Sequence, residues 1–472
     1  MTHILKFGNL GHFFPMHTLR GILGIGLVLL AAYLLSNNKS GIRWRPVLGG
    51  LAIQFCLAFV ALRWEVGREW MQGLTGAVQK VYGAADEGIG FIFGPLSDSA
   101  SMGEAFGNHF AFVFAFRVLP LVIFFASLIS VLYYVGIMQA MIRWIGGGLQ
   151  KVLGTTKAES MAAAANIFVG QAEAPLVIRP YLATMSQSGL FAVMSCGLAS
   201  VAGTTLGGYA AMGVPLEYLL AASFMAAPAG LAMAKLMFPE EGDPAELEKG
   251  EDPGMEKDDT ANIVDAAAKG ASDGLGLAMN IGAMILAFVS LIALANILLG
   301  ALAGQSTTTI AGMLVAGILI ALAGWRFLPN PLPLFVIGGT MAVMAVSGHF
   351  GGTTLQQILG WAFSPVAWAI GIPWVDAQAG GNYIGQKLVL NEFVAYAAFI
   401  SEMEDLSPKT QLIISFALCG FANLGSMAIN LGALGKLAPS RRAEVARIVP
   451  KALLAGLFAS FLSASMAGMF YR

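Results

Sequence analysis

The stretch Gly385-Gln-Lys-Leu-Val-Leu-Asn-Glu-Phe-Val-Ala-Tyr396 sets an amide, Asn391, and a carboxylate, Glu392, in the middle of an apolar run. A charge in a bilayer core costs at least ~2.5–3.5 kcal/mol on insertion scales. A chain that keeps one uses it on a ligand, an ion or a partner charge. The segment therefore points to a substrate path inside a membrane protein. The plainer alternative is an ion pair with the neighbouring Lys387.

Composition supports lipid as the solvent. The chain has 472 residues, 57% hydrophobic and only 11% charged, where a soluble protein carries roughly 25% charged residues. A span needs ~20 apolar residues, which leaves room for roughly eight to twelve spans. The net charge of −1 argues against nucleic acid as a partner. Cys56, Cys196 and Cys419 form no spacing pattern, so neither a disulfide framework nor a zinc site is indicated. A P-loop and a strand-linked GxGxxG are both absent, which excludes ATP-driven transport within this chain and gives no cofactor. The first apolar run, 19–36, is followed by Lys39, Arg43 and Arg45. It reads as a retained span rather than a cleaved signal.

Helices are the default for lipid-exposed spans, because no water satisfies an open backbone there. The expected spans are 19–36, 46–64, 109–135, 189–212, 214–238, 275–303, 383–401, 409–432 and 450–470. Residues 65–108 suit an amphipathic interfacial helix plus a loop, and 136–153 a second interfacial helix. Residues 240–274, with twelve acidic residues against three lysines, read as a soluble connector. Basic residues favour the cytoplasmic side. Lys39, Arg43 and Arg45 follow the first span, and Lys436, Arg441, Arg442, Arg447 and Lys451 precede the last. Both loops are expected in the cytoplasm and both termini outside it.

Two apolar segments are broken by Gly and Pro. One is 157–187, around Gly170-Gln-Ala-Glu-Ala-Pro175. The other is 353–382, around Ser364-Pro365 and Gly371-Ile-Pro373. Paired interrupted segments in two halves mark an inverted-repeat transporter with its site near the midplane. Each is read as a re-entrant hairpin, since irregular backbone survives at membrane depth only when buried or lining a cavity.

Glu173 and Glu392 are the two acidic residues placed deep in the membrane, with Gln171 and Asn391 close by. Carboxylates and amides together supply the donors and acceptors that read ribose hydroxyls and base edges. The alternative for Glu173 is a pair with Arg179. Asn166, Ser200, Asn423 and Ser426 are short polar residues in apolar runs, which singly act as glue between helices. Asn166 and Ser200 also offer hard oxygens to Na⁺, with the Val169 and Val201 carbonyls freed where helices are interrupted. Arg117, inside the third span, reads as snorkelling or paired within a scaffold.

Three blocks resemble the concentrative nucleoside transporter family. They are Asn166-Ile-Phe-Val-Gly-Gln-Ala-Glu-Ala-Pro-Leu-Val-Ile-Arg-Pro-Tyr181, Gly385 to Tyr396 with its NEFVAY motif, and Ala417-Leu-Cys-Gly-Phe-Ala-Asn-Leu-Gly-Ser426. The resemblance covers about 20–300 and 353–470. It implies an all-α polytopic membrane protein, an inverted-repeat elevator-type transporter with two re-entrant helical hairpins and scaffold and transport domains. It implies a homotrimer in the cytoplasmic membrane. It implies nucleobase contacts from Gln171, Glu173 and Thr205, and ribose contacts from Glu392, Asn423 and Ser426 with Phe421 close by. It implies a Na⁺ site from the Asn166 and Ser200 side chains and the Val169 and Val201 carbonyls.

The corresponding division is 1–156 for N-terminal scaffold and interfacial helices and 157–238 for the first hairpin and transport helices. The acidic connector and a scaffold helix take 239–304, the second hairpin and transport helices 353–436, and the basic loop and last span 437–472. Residues 305–352 carry extra apolar runs and are expected as an additional helical pair. Ala172 departs from the family where a small hydroxyl is common, and Gly425 where Ser is frequent.

The expected function is Na⁺-coupled nucleoside import. A neutral amide at 166 can coordinate a cation but cannot itself relay a proton. A proton-coupled permease is the alternative. An intramembrane enzyme using Glu173 and Glu392 as an acid–base pair is a remote one, since no nucleophile or cofactor motif accompanies them. Base preference is not legible.

Overall fold

The computed structural model describes residues 16–107, 111–242, 260–302 and 354–471, and every regular element among them is helical. The first half runs α1 (Met16–Leu34), α2 (Trp44–Leu62), α3 (Glu65–Phe93), α4 (Ser99–Phe106), α5 (Phe114–Tyr134), α6 (Ile137–Leu153), α7 (Lys157–Ala165), a 3₁₀ arm (Ala174–Tyr181), α8 (Gln187–Ala199), α9 (Gly203–Ala211) and α10 (Leu216–Met237). Then come α11 (Ile263–Leu302), α12 (Leu355–Ala369), α13 (Ala377–Val389), α14 (Glu392–Glu402), α15 (Pro408–Leu418), α16 (Leu424–Leu437) and α17 (Arg442–Phe470). The insertion expected at 305–352 lies outside the described residues.

Side-chain caps set where the key helices begin, because the first turn of a helix leaves N–H groups without partners. Thr156 and Glu159 form a capping box on α7. Asn391 accepts from the Val394 N–H at 2.9 Å and Asn423 from the Ser426 N–H at 2.8 Å. These last two start α14 and α16 in the middle of apolar sequence.

The two halves repeat one order: a flanking helix, a hairpin, a broken helix and a long helix. In the first half these are α6, α7 with the 3₁₀ arm, α8–α9, and α10. In the second they are α12, α13–α14, α15–α16, and α17. This corrects the expected second hairpin. Pro365 lies inside a continuous α12. Gly371, at φ +110, only turns the corner into the hairpin. The tip is Leu390-Asn391, so 383–401 is not one span but parts of two arms. The expected spans 189–212 and 409–432 are also each split, at 200–202 and 419–423. The soluble connector is shorter than expected, since α11 begins at Ile263.

The breaks cross each other. Ser200 is extended, at φ −101 and ψ 171, and its carbonyl accepts from the Phe421 N–H at 3.0 Å. A Cβ at Gly420 would stand 2.7 Å from the Ala199 carbonyl oxygen and 2.6 Å from Ser460 Oγ. Only glycine allows this approach.

Within the expected N-terminal unit 1–156 the helices pack on different partners. α1 packs on α17, α2 on α10 and α17, whereas α5 pairs chiefly with α11. Gly21 of α1 lies against Met469 of α17, so the start of the first helix and the end of the last share one end of the bundle. At the opposite end Arg43 donates to the Gly242 carbonyl at 2.5 Å, Lys451 bonds Asn37, and Arg441 donates to the Leu182 carbonyl at 3.1 Å. Both basic loops therefore sit at the same end. Arg117 of α5 donates to the Ser97 carbonyl and Ser99 Oγ at 3.1 and 3.0 Å, the partnered state expected for it.

A buried charge cluster ties the first hairpin to α10. Lys235 Nζ lies 2.5 Å from Glu159 Oε1 and 2.9 Å from both Glu240 Oε2 and Ser188 Oγ. Removing one partner of a buried pair costs about 3–5 kcal/mol, because the other charge is left uncompensated. Lys235→Met is expected to lower the thermal unfolding midpoint of the purified protein markedly. An unchanged midpoint would show that the cluster contributes nothing net.

Candidate functional site

Asn423, Ser426 and Asn430 stand at positions i, i+3 and i+7 at the start of α16, on one face of the helix. That face touches both hairpin tips. Asn423 Nδ2 donates to Glu392 Oε2 at 2.9 Å. One helical turn and more away, Asn430 Nδ2 donates to Gln171 Oε1 at 2.5 Å and to the Ser426 carbonyl at 3.3 Å. Residues from two hairpins distant in sequence are thus joined by a single helix end.

Glu392 is the first residue of α14 and is buried, 4% exposed. A helix N-terminus favours a carboxylate. Its second oxygen accepts from the Tyr209 hydroxyl at 3.0 Å. The Tyr209 ring lies 4.7 Å from those of Phe393 and Tyr396. Both carboxylate partners are neutral donors. Lys387, which the sequence offers as an ion-pair partner, donates instead to the Ala417 carbonyl at 2.7 Å and Ser460 Oγ at 3.3 Å. A carboxylate can accept about four hydrogen bonds, so Glu392 keeps capacity for hydroxyl groups of a ligand.

The first hairpin tip carries Gln171, which is buried, and Glu173, which is exposed. Glu173 Oε2 accepts from the Gly170 N–H at 2.6 Å, which folds the side chain back over its own turn. Thr205 is buried near the start of α9 and donates to the Ala202 carbonyl at 2.9 Å. Phe421 lies in the break between α15 and α16, almost wholly buried.

Of the four residues expected to hold Na⁺, Ser200 and Val201 lie in the first break, and Asn166 and Val169 lie in the turn that follows α7. Asn166 donates from Nδ2 to the Ala162 carbonyl at 2.9 Å, while its Oδ1 is buried without a partner. A buried acceptor left unmade is costly. That oxygen faces α8 at Gly197, one turn before Ser200, where a Cβ would stand 3.5 Å from it. Ser200 Oγ donates to the Cys196 carbonyl at 2.9 Å and keeps its lone pairs. Among the described residues no N–H donates to the Val169 or Val201 carbonyl. The neighbouring Phe168 carbonyl accepts from the Gly203 N–H at 2.9 Å and so pins the tip to the break. Hard oxygens of this kind suit a cation without a fixed geometry.

Two residues escaped the sequence reading. Tyr209 carries no charge and follows the small residues Gly207 and Gly208, so nothing local marks it as a partner of Glu392. Asn430 continues the Asn423–Ser426 spacing by one further turn, a signal that was present.

Residues 218–468 match the family model described as Na+ dependent nucleoside transporter C-terminus, and 23–96 match its N-terminus. Residues 115–216 match the model Gate, described as nucleoside recognition. The Uncharacterized transporter YutK of Bacillus subtilis is 49% identical over 455 residues, covering 96% of this chain and 100% of that protein. The Nucleoside permease NupC of Helicobacter pylori is 43% identical, with 96% and 98% covered. The Sodium/nucleoside cotransporter 2 of Rattus norvegicus is 34% identical, covering 95% of this chain and 62% of the rat protein. The solved structure of CNTnw in an inward-facing substrate-bound state superposes with a TM-score of 0.81 at 46% identity, covering 96% and 98%. The protein is a multi-pass membrane transporter rather than an enzyme, and it belongs to the concentrative nucleoside transporter family.

Proposed function

We propose that this protein imports nucleosides across the cytoplasmic membrane, driven by a sodium gradient. The observation that carries the reading is the α16 face, where Asn423 meets Glu392 of one hairpin and Asn430 meets Gln171 of the other. Glu392, Asn423 and Ser426 would hold the ribose hydroxyls, with Phe421 alongside. Gln171, Glu173 and Thr205 would face the base. Asn166, Ser200 and the Val169 and Val201 carbonyls would hold Na⁺. The orphaned Asn166 Oδ1 favours sodium over a proton, because an amide oxygen binds a cation but does not relay H⁺.

The transport domain in this proposal comprises both hairpins with α1, α2, α8–α10 and α15–α17. The paired α5 and α11 form the scaffold, whose exposed apolar residues, among them Leu286, Val289 and Ile297, meet lipid and the other subunits of a homotrimer. The transport domain moves past this scaffold as an elevator. Both basic loops face the cytoplasm, so both termini lie outside it.

The test is labelled uridine and adenosine uptake into proteoliposomes under a sodium gradient, a pH gradient or neither. Accumulation with sodium alone is expected. Accumulation with a pH gradient alone would keep nucleoside import and overturn the sodium site. No uptake of either, by folded protein, would overturn the substrate.

A further inference from the structure

We propose that Asn430 sets base selectivity by locking Gln171 as a hydrogen-bond donor toward the substrate. The site would then prefer nucleosides whose base presents a carbonyl to Gln171, as uridine, thymidine, inosine and guanosine do. It would discriminate against the exocyclic amine of cytidine or adenosine. The inference rests on the placement of the base at Gln171 and Glu173.

A glutamine amide is ambivalent: turned by 180° about its last torsion, it offers either N–H groups or a carbonyl oxygen. Here the choice is made by a chain of fixed polarity. The Ser426 backbone carbonyl can only accept. It therefore faces Nδ2 of Asn430, at 3.3 Å. The same Nδ2 reaches Gln171 at 2.5 Å, so Gln171 must turn its oxygen to Asn430. Asn430 is 1% exposed and Gln171 5%, which leaves little room for water to substitute. With Oε1 of Gln171 taken by Asn430, Nε2 is the end of the amide left to serve as a donor to the substrate. Ala172 contributes no polar group, and Glu173 next along is an exposed acceptor.

The tip therefore presents one donor and one acceptor in fixed places. A lactam edge has a carbonyl beside a ring N–H, whereas an amidine edge has an amine beside a bare ring nitrogen. With the ribose held by Glu392 and Asn423, the base cannot slide by one ring position to exchange the two. An amine facing Gln171 would leave two donors opposed. Sites built to hydrogen-bond a substrate group discriminate strongly against analogues that mispair.

The experiment is inhibition of labelled uridine uptake by unlabelled uridine, inosine, cytidine and adenosine in proteoliposomes. Uptake of uridine by the wild type is measured first and tests the import reading by itself. The wild type is expected to be inhibited by uridine and inosine at roughly tenfold lower concentrations than by cytidine and adenosine. In Asn430→Leu the clamp is gone and this ratio should fall toward one. In Asn430→Asp the acceptor draws the Gln171 amine to itself, and the ratio should reverse. Asn430→Asp also carries the test if the leucine variant does not fold. A merely structural role for Asn430 would shift all four nucleosides together and leave the ratio unchanged. That result, or a wild type with no preference between the two classes, would overturn the proposal.

Discussion

Glu392→Gln is expected to lower nucleoside uptake about a hundredfold or more while leaving the assembled protein intact. The protein partners of this carboxylate are both neutral, the Tyr209 hydroxyl and the Asn423 amide. Hydrogen bonds to a charged acceptor contribute about 1.5–3 kcal/mol each. Two ribose hydroxyls on Glu392 therefore account for two or more powers of ten in affinity, at ~1.4 kcal/mol per tenfold. A glutamine also turns an N–H toward a donor it formerly accepted from. Folding should survive, since Lys387 rests on the Ala417 carbonyl and not on this carboxylate. Uptake near the wild-type rate would contradict the site.

The second large effect concerns the ion. Asn166→Ala should raise the sodium concentration for half-maximal uptake by about tenfold or more, since it deletes a ligand whose interaction with a charge is worth about 1.5–3 kcal/mol. At saturating sodium the affinity for uridine should stay near the wild-type value, because Asn166 bonds its own helix and not the ribose or base residues. An unchanged sodium curve would remove Asn166 from the ion site. Uptake indifferent to sodium in both proteins would favour the proton-coupled alternative.

Much of the architecture was legible because the bilayer restricts the choices. Spans and the first hairpin follow from apolar length and from the Gly170 to Pro175 interruption. The second hairpin was misplaced for a physical reason. Its tip, Leu390-Asn391, holds neither Gly nor Pro. It is made by the Asn391 side chain, which caps the Val394 N–H, so the apolar pattern runs on without a gap. The Gly371-Ile-Pro373 turn looked like a tip but is a corner. Pro365 looked like a breaker yet lies within a helix, as prolines can in membrane helices whose neighbours satisfy the freed carbonyl.

The grouping of α1 and α2 with α10 and α17 depends on contacts hundreds of residues apart, which no local pattern records. The same holds at the junction itself. Asn423 and Ser426 could be singled out as polar residues in an apolar run. That Asn430 reaches Gln171, 259 residues away, depends on the two broken helices crossing at Ser200 and Phe421.

The most direct test is an experimental structure of the protein with uridine and sodium bound. The ribose is expected on Glu392, Asn423 and Ser426, the uracil carbonyl on Gln171 Nε2, and an ion between Asn166 Oδ1, Ser200 Oγ and the Val169 and Val201 carbonyls. Uridine bound away from the two hairpin tips, or an ion site that leaves Asn166 Oδ1 unengaged, would contradict it.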